Sequence, residues 1–154
     1  MESILHVASI AQVIQLSVAP VFLLAGVGTT LNVLATRIAR IIDRARGMEE
    51  KLLHAGPGDV AELHDRLKDL SRRATLINRA IGLSVLCGFL VSLVVAALFV
   101  SASLHIDLAM PIAVAFLIAL LSLAAALLCF LREVFVATAS LTFGGVRKHR
   151  TAAE

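Results

Sequence analysis

The chain predicts an all-α integral membrane protein with three transmembrane helices, the first two extending into a cytoplasmic antiparallel helical hairpin. Three observations lead there. Hydrophobic residues make up 59% of the 154 positions and mean hydropathy is +0.93, more apolar than a soluble fold of this length. The apolar residues gather in three long stretches, and the charge lies almost wholly in the segments between and after them. Ten of the 14 Lys and Arg lie between Arg37 and Arg79, four lie from Arg132 onward, and none precede Arg37 or flank His105.

Residues 3–35 contain no Lys, Arg, Asp or Glu, a run longer than the roughly 20 residues one span requires. We assign the excess to an N-terminal interfacial segment, 1–15, with Gln12 and Gln15 at the outer surface, and place span 1 at 16–36. Pro20 marks the junction or kinks the helix; a single long tilted helix is the alternative. MESILHVAS has neither a basic n-region nor a cleavage site, so no removable signal peptide is expected.

Segment 37–79 is the hairpin. Leu34, Ile38, Ile41, Ala45, Met48 and Leu52 repeat at spacings of four and three, a heptad-like seam, and Leu63, Leu67, Leu70, Ala74, Ile77 and Ile81 repeat it on the return. Between them, Gly56 and Pro57 stop one helix, and Asp59 with Glu62 forms a D-x-x-E capping box for the next. Folding at Pro57 brings Glu49 to Asp65 and Arg66, Arg46 to Lys68 and Asp69, Asp43 to Ser71 and Arg72, and Arg37 to Asn78. Exposed pairs of this kind contribute about 0 to 1 kcal/mol each, so the seam supplies most of the stability.

Span 2 follows at 80–100, an outer loop at 101–108, and span 3 at 109–131, with Pro111 suited to a first helical turn. The remainder, 132–154, is a cytoplasmic C-terminal segment and basic tail. Within it EVFVATASLTF is helix-compatible, either continuing inward against the hairpin or lying along the membrane surface; Gly144-Gly145 ends it. Trp and Tyr are absent, so no aromatic belt marks the boundaries and the charges must. The positive-inside rule then puts the hairpin and C-terminus in the cytoplasm and the N-terminus outside.

The segment QLSVAPVFLLAGVGTTLNVLATRIARIIDRAR, with its N-x-x-x-x-R-x-x-R-x-x-D-R pattern at Asn32, Arg37, Arg40, Asp43 and Arg44, resembles a bacterial family of small integral membrane proteins catalogued as a domain of unknown function. The resemblance covers the chain from about Gln12 through the third span. It implies a bacterial inner-membrane protein and supplies no activity or catalytic residues.

Gln12, Gln15, Ala19, Phe22, Gly26, Thr29, Asn32, Thr36, Arg40 and Asp43 share one face of the first helix. All but Phe22 are polar or small. Two readings fit this stripe. In one, several copies of the helix surround a pore, with Thr29, Asn32 and Thr36 facing water and Phe22 as a hydrophobic constriction. In the other, the small and hydroxylated residues let helices approach and bond each other. Both require close helix contacts, and a pore from three spans requires a homo-oligomer.

A second group, Arg37, Arg40, Asp43, Arg44, Arg72 and Arg79, gathers with Arg73 at the inner face. It reads as the cationic flank of a cytoplasmic loop, as a site for anionic lipid headgroups at about 1 kcal/mol per surface cation, or as a ring that attracts anions. Asp43, set among arginines, reads as their structural ion-pair partner. Membrane lipids are therefore expected partners and nucleic acid is not.

No catalytic or metal-binding constellation appears. His6, His54, His64, His105 and His149 are scattered; His54 and His64 flank the hairpin tip without a Cys or acid at ligand spacing. Cys87 and Cys129 sit in apolar runs as small hydrophobes. Gly26-Val27-Gly28 lies inside a span and permits helix packing. We expect no enzyme activity, no cofactor and no metal. The functional expectation is an oligomeric ion channel or pore lined by the first helix; the alternative is a non-transporting scaffold or regulator that binds a cytoplasmic protein through the hairpin.

Overall fold

The computed structural model describes the backbone of residues 2–56, 59–104 and 106–147, and the side chains of 11–56, 59–104 and 106–137. Every element among them is helical: α1 (Glu2–Leu53), α2 (Val60–Leu104) and α3 (Ala109–Arg147). Each contains a stretch long and apolar enough to cross a membrane.

The helices are longer than the sequence suggests. Residues 2–15 are the beginning of α1 and not a separate interfacial helix, because α1 continues through Gln15 and Pro20 without a break. A lost backbone bond at proline costs about 3 kcal/mol, and cooperative helix on both sides carries the chain through it. Likewise α2 continues to Leu104, so 105–108 connects α2 to α3 where 101–108 was expected. The Asp107 carboxylate accepts from the Ala109 amide at 3.0 Å, capping α3. Gly144-Gly145 does not end α3, which extends to Arg147. His6 lies where side chains are not described, and Pro57, His105 and most of the basic tail lie outside the described residues.

The chain divides into two compact units. One combines Met1–Asn32 with Gly82–Ala125. Its core is Val27, Cys87, Val91 and Ala119, with Leu23, Leu24, Leu31, Leu90 and Leu123 packed against it. Gly88 sits against this core: a Cβ there would lie 3.7 Å from Val27 and 3.8 Å from Leu24. The Ser122 hydroxyl donates to the Leu83 carbonyl at 2.7 Å, tying α3 to α2. Large apolar side chains otherwise face outward, among them Phe22, Phe89, Leu93, Leu117 and Leu121.

The other unit combines Val33–Ile81 with Ala126–Glu154. Leu34, Ile41, Leu70, Ile77 and Ala80 form its core, flanked by Ile38, Ala45, Met48, Ala74, Ile81, Cys129 and Phe130. Apart from Ala80 and the α3 residues Cys129 and Phe130, these are seam positions read from the sequence; Leu52, Leu63 and Leu67, nearer the turn, are half-buried outside this cluster. The connection at 54–59 carries backbone bonds from His54 to Lys51, Ala55 to Leu52 and Asp59 to Gly56. At the start of α2 the Asp59 carbonyl accepts from the Leu63 amide, while Glu62 pairs forward with Arg66. The expected reciprocal box is therefore not what holds this end. Nor are the expected cross-hairpin charge pairs formed: among the described residues the ion pairs are Glu62–Arg66 and two that converge on Glu133.

Candidate functional site

Glu133 is the organising residue of the second unit. On α3 the buried positions Ala119, Ser122, Ala126 and Glu133 are separated by three, four and seven residues, so Glu133 continues the helix's inward face. A buried carboxylate persists only when paired and hydrogen-bonded. Arg37 of α1 donates to Oε2 at 2.6 Å, and Arg73 of α2 donates to Oε1 through Nη2 at 2.8 Å and Nε at 3.1 Å. Both oxygens are engaged, each by a different helix. The Glu133 side chain is 1% exposed, against 18% for Arg73 and 38% for Arg37.

Arg37 has a second contact: its guanidinium carbon lies 4.9 Å from the centre of the Phe130 ring, within the range of a cation–π interaction. Phe130 and Glu133 are three residues apart on α3, so one turn of helix offers both the ring and the carboxylate. Beside the clamp lies a cavity of about 220 Å³ lined by Arg37, Arg40, Arg44, Arg73 and Glu133, with Ile41 and Ala137 as its apolar wall. Four guanidinium groups thus stand around one carboxylate.

The inner-face cluster is only partly assembled. Arg37, Arg40, Arg44 and Arg73 line the cavity; Asp43, Arg72 and Arg79, which are exposed as Arg40 and Arg44 are, do not. Glu133, and not Asp43, is the acid that pairs with the arginines. From the sequence, span 3 is expected to end at 131, and Glu133, two residues beyond, is given no role. The available signal was its isolation, as it is the single acid between Asp107 and Glu154, followed by further apolar sequence.

On the first-helix stripe, Gln15, Phe22, Gly26, Thr29 and Asn32 are exposed within the first unit, and Thr36 is exposed within the second. The Thr29 hydroxyl donates to the Ala25 carbonyl at 3.1 Å. Nothing lies within 4 Å of a Cβ built on Gly26 or Gly28, so these glycines do not pack against the chain's own helices. His54, just past the end of α1, and His64 in α2 turn back to the carbonyls of Glu50 and Val60. Among the described residues no group of three or more His, Cys, Asp or Glu is placed to hold a metal.

These features define an all-helical protein with three span-length apolar helices and a buried, doubly clamped carboxylate. By its sequence the chain belongs to the family of proteins of unknown function designated DUF2721, whose model matches residues 17–143. No curated protein and no solved structure matches it.

Proposed function

We propose that the protein is an integral protein of the bacterial inner membrane that assembles as a homo-oligomer, with the stripe face of α1 turned toward other copies and lining a path for ions or small solutes. The observation that carries this is the outward setting of Thr29 and Asn32, while Val27 and Leu34 on the same helix are buried. A polar face suits a facing helix or a water-filled axis better than hydrocarbon, also where its side chains bond within the chain, as Thr29 does to Ala25. Gly26 and Gly28 leave room for a close neighbour. The many outward apolar side chains suit lipid, and the clustering of Lys and Arg between Arg37 and Arg79 supports a cytoplasmic hairpin and C-terminus.

The test is flux from protein reconstituted in liposomes, alongside its oligomeric state in nanodiscs. The proposal expects an oligomer whose flux falls with Asn32→Leu and rises with Phe22→Ala. A monomer, or no flux across a broad panel of ions, would overturn it.

One observation favours a second reading, a non-transporting scaffold that binds a cytoplasmic protein. Near the hairpin tip an open groove of about 780 Å³ is lined by Glu50, Lys51, His54, Asp59, Glu62 and Arg66 among others. Crosslinking from Lys51 in cells should then capture one recurrent partner. Recovery of self-contacts alone would count against it.

A further inference from the structure

We infer that the cavity beside Glu133 is a binding site for a phosphate group, either the phosphate of an anionic lipid or a free phosphate. Arg37, Arg40 and Arg44 follow one another at spacings of three and four, so they share one side of α1, and Arg73 faces them from α2 around the same cavity. Like charges at this helical spacing repel, which destabilises an empty cluster. Glu133 offsets part of that repulsion, but its two oxygens are already taken by Arg37 and Arg73. Arg40 and Arg44 have no ion-pair partner among the described residues.

The planar guanidinium group presents paired donors that match the oxygens of a phosphate, and arginine is favoured wherever such anions are recognised. Glu133 holds Arg37 and Arg73 in place, so a ligand meets part of its donor set already ordered. At about 220 Å³ the cavity has the volume of about seven water molecules. That admits a tetrahedral oxyanion, with any substituent reaching out through the open side of the cavity. Glu133 stands at the inner side of the set as the one acid in the lining, which opposes dense unpaired negative charge and leaves Arg40 and Arg44 as the groups free to turn to a ligand.

The site shares Arg40 with the stripe on α1 but does not require the stripe to line a path; its lipid form alone rests on the membrane reading above. The test uses the full-length protein in phosphatidylcholine nanodiscs. In one arm inorganic phosphate is titrated while thermal unfolding is followed. In the other, phosphatidic acid is mixed into the bilayer and the lipid retained through delipidation is measured by mass spectrometry. Arg40→Gln with Arg44→Gln removes two lining arginines without touching the Glu133 clamp. Arg72→Gln with Arg79→Gln removes the same charge elsewhere.

Saturable stabilisation by phosphate, or selective retention of phosphatidic acid, is expected in the parent and in the Arg72/Arg79 variant. The Arg40/Arg44 variant should bind about tenfold or more weaker for each arginine lost. A response to phosphate in solution identifies a free anion as ligand, and a response to phosphatidic acid alone identifies a lipid. If neither probe acts, or if both double variants weaken equally, the site is refuted.

Discussion

Arg73 grips a single oxygen of Glu133 with two guanidinium nitrogens, at 2.8 and 3.1 Å, and leaves the other oxygen to Arg37. The carboxylate therefore acts as a staple between α1, α2 and α3. Removing one member of a fully buried pair costs about 3–5 kcal/mol, an upper bound here because the arginines left behind, 18% and 38% exposed, reach water. Glu133→Ala should destabilise the second unit by up to this amount, and Glu133→Gln by less, since the amide keeps an acceptor oxygen. Unfolding in mild detergent with a hydrogen-exchange readout on 33–81 measures it. A loss below about 1 kcal/mol, the value of an exposed pair, would show that the staple carries little stability.

The two arginines are not equivalent. Arg73 donates twice and is 18% exposed, whereas Arg37 donates once and is 38% exposed. Arg73→Ala should therefore cost more than Arg37→Ala, and in double-mutant cycles with Glu133→Gln the Arg73 coupling should be the larger, within the range of about 0.5–3 kcal/mol seen for directly interacting residues. Lysine at 73 should restore charge without the paired donors and recover only part of the loss. Equal coupling at both positions would contradict the geometry.

Leu34 and Ile77 are fully buried in the same cluster. Truncating either to alanine should cost about 2–5 kcal/mol. The control is an outward position, Ile42, which is 42% exposed; alanine there should change stability by no more than about 0.5 kcal/mol. Thermal midpoints of the three variants, compared in one detergent, decide whether the seam is the stabilising element.

Gly88 lies in mid-helix, and the space beside it admits a methyl group at ordinary contact distance from Val27 and Leu24. Gly88→Ala should stabilise, by up to about 1 kcal/mol from helix propensity. Gly88→Leu should destabilise, because its longer side chain must displace those neighbours, at about 1–3 kcal/mol. Stabilisation by both would mean that α1 does not approach α2 closely at this point.

Much of the fold was legible in the sequence because it depends on one helix at a time. The seam from Leu34 to Leu52 and its return from Leu63 to Ile81 follow from spacing alone, and those residues are buried or half-buried in the folded chain. Helix ends were less legible. Pro20 and Gly144-Gly145 have breaking tendencies that long cooperative helices override, and α2 runs on to Leu104 where a loop from 101 is expected, while α3 starts at Ala109, in line with the expected 109.

Hydropathy and periodicity are properties of a single segment, and they suffice for three span-length helices, the apolar seams of α1 and α2 and the polar face of α1. Tertiary structure alone decided which acid the arginines hold and that Thr29 and Asn32 face outward. Asp43 and Glu133 carry the same chemistry. What separates them is rotational phase: Asp43 projects from the exposed side of α1, while Glu133 lies on the inward face of α3, where Arg37 and Arg73 come within bonding distance. That phase is fixed only when three helices pack at once.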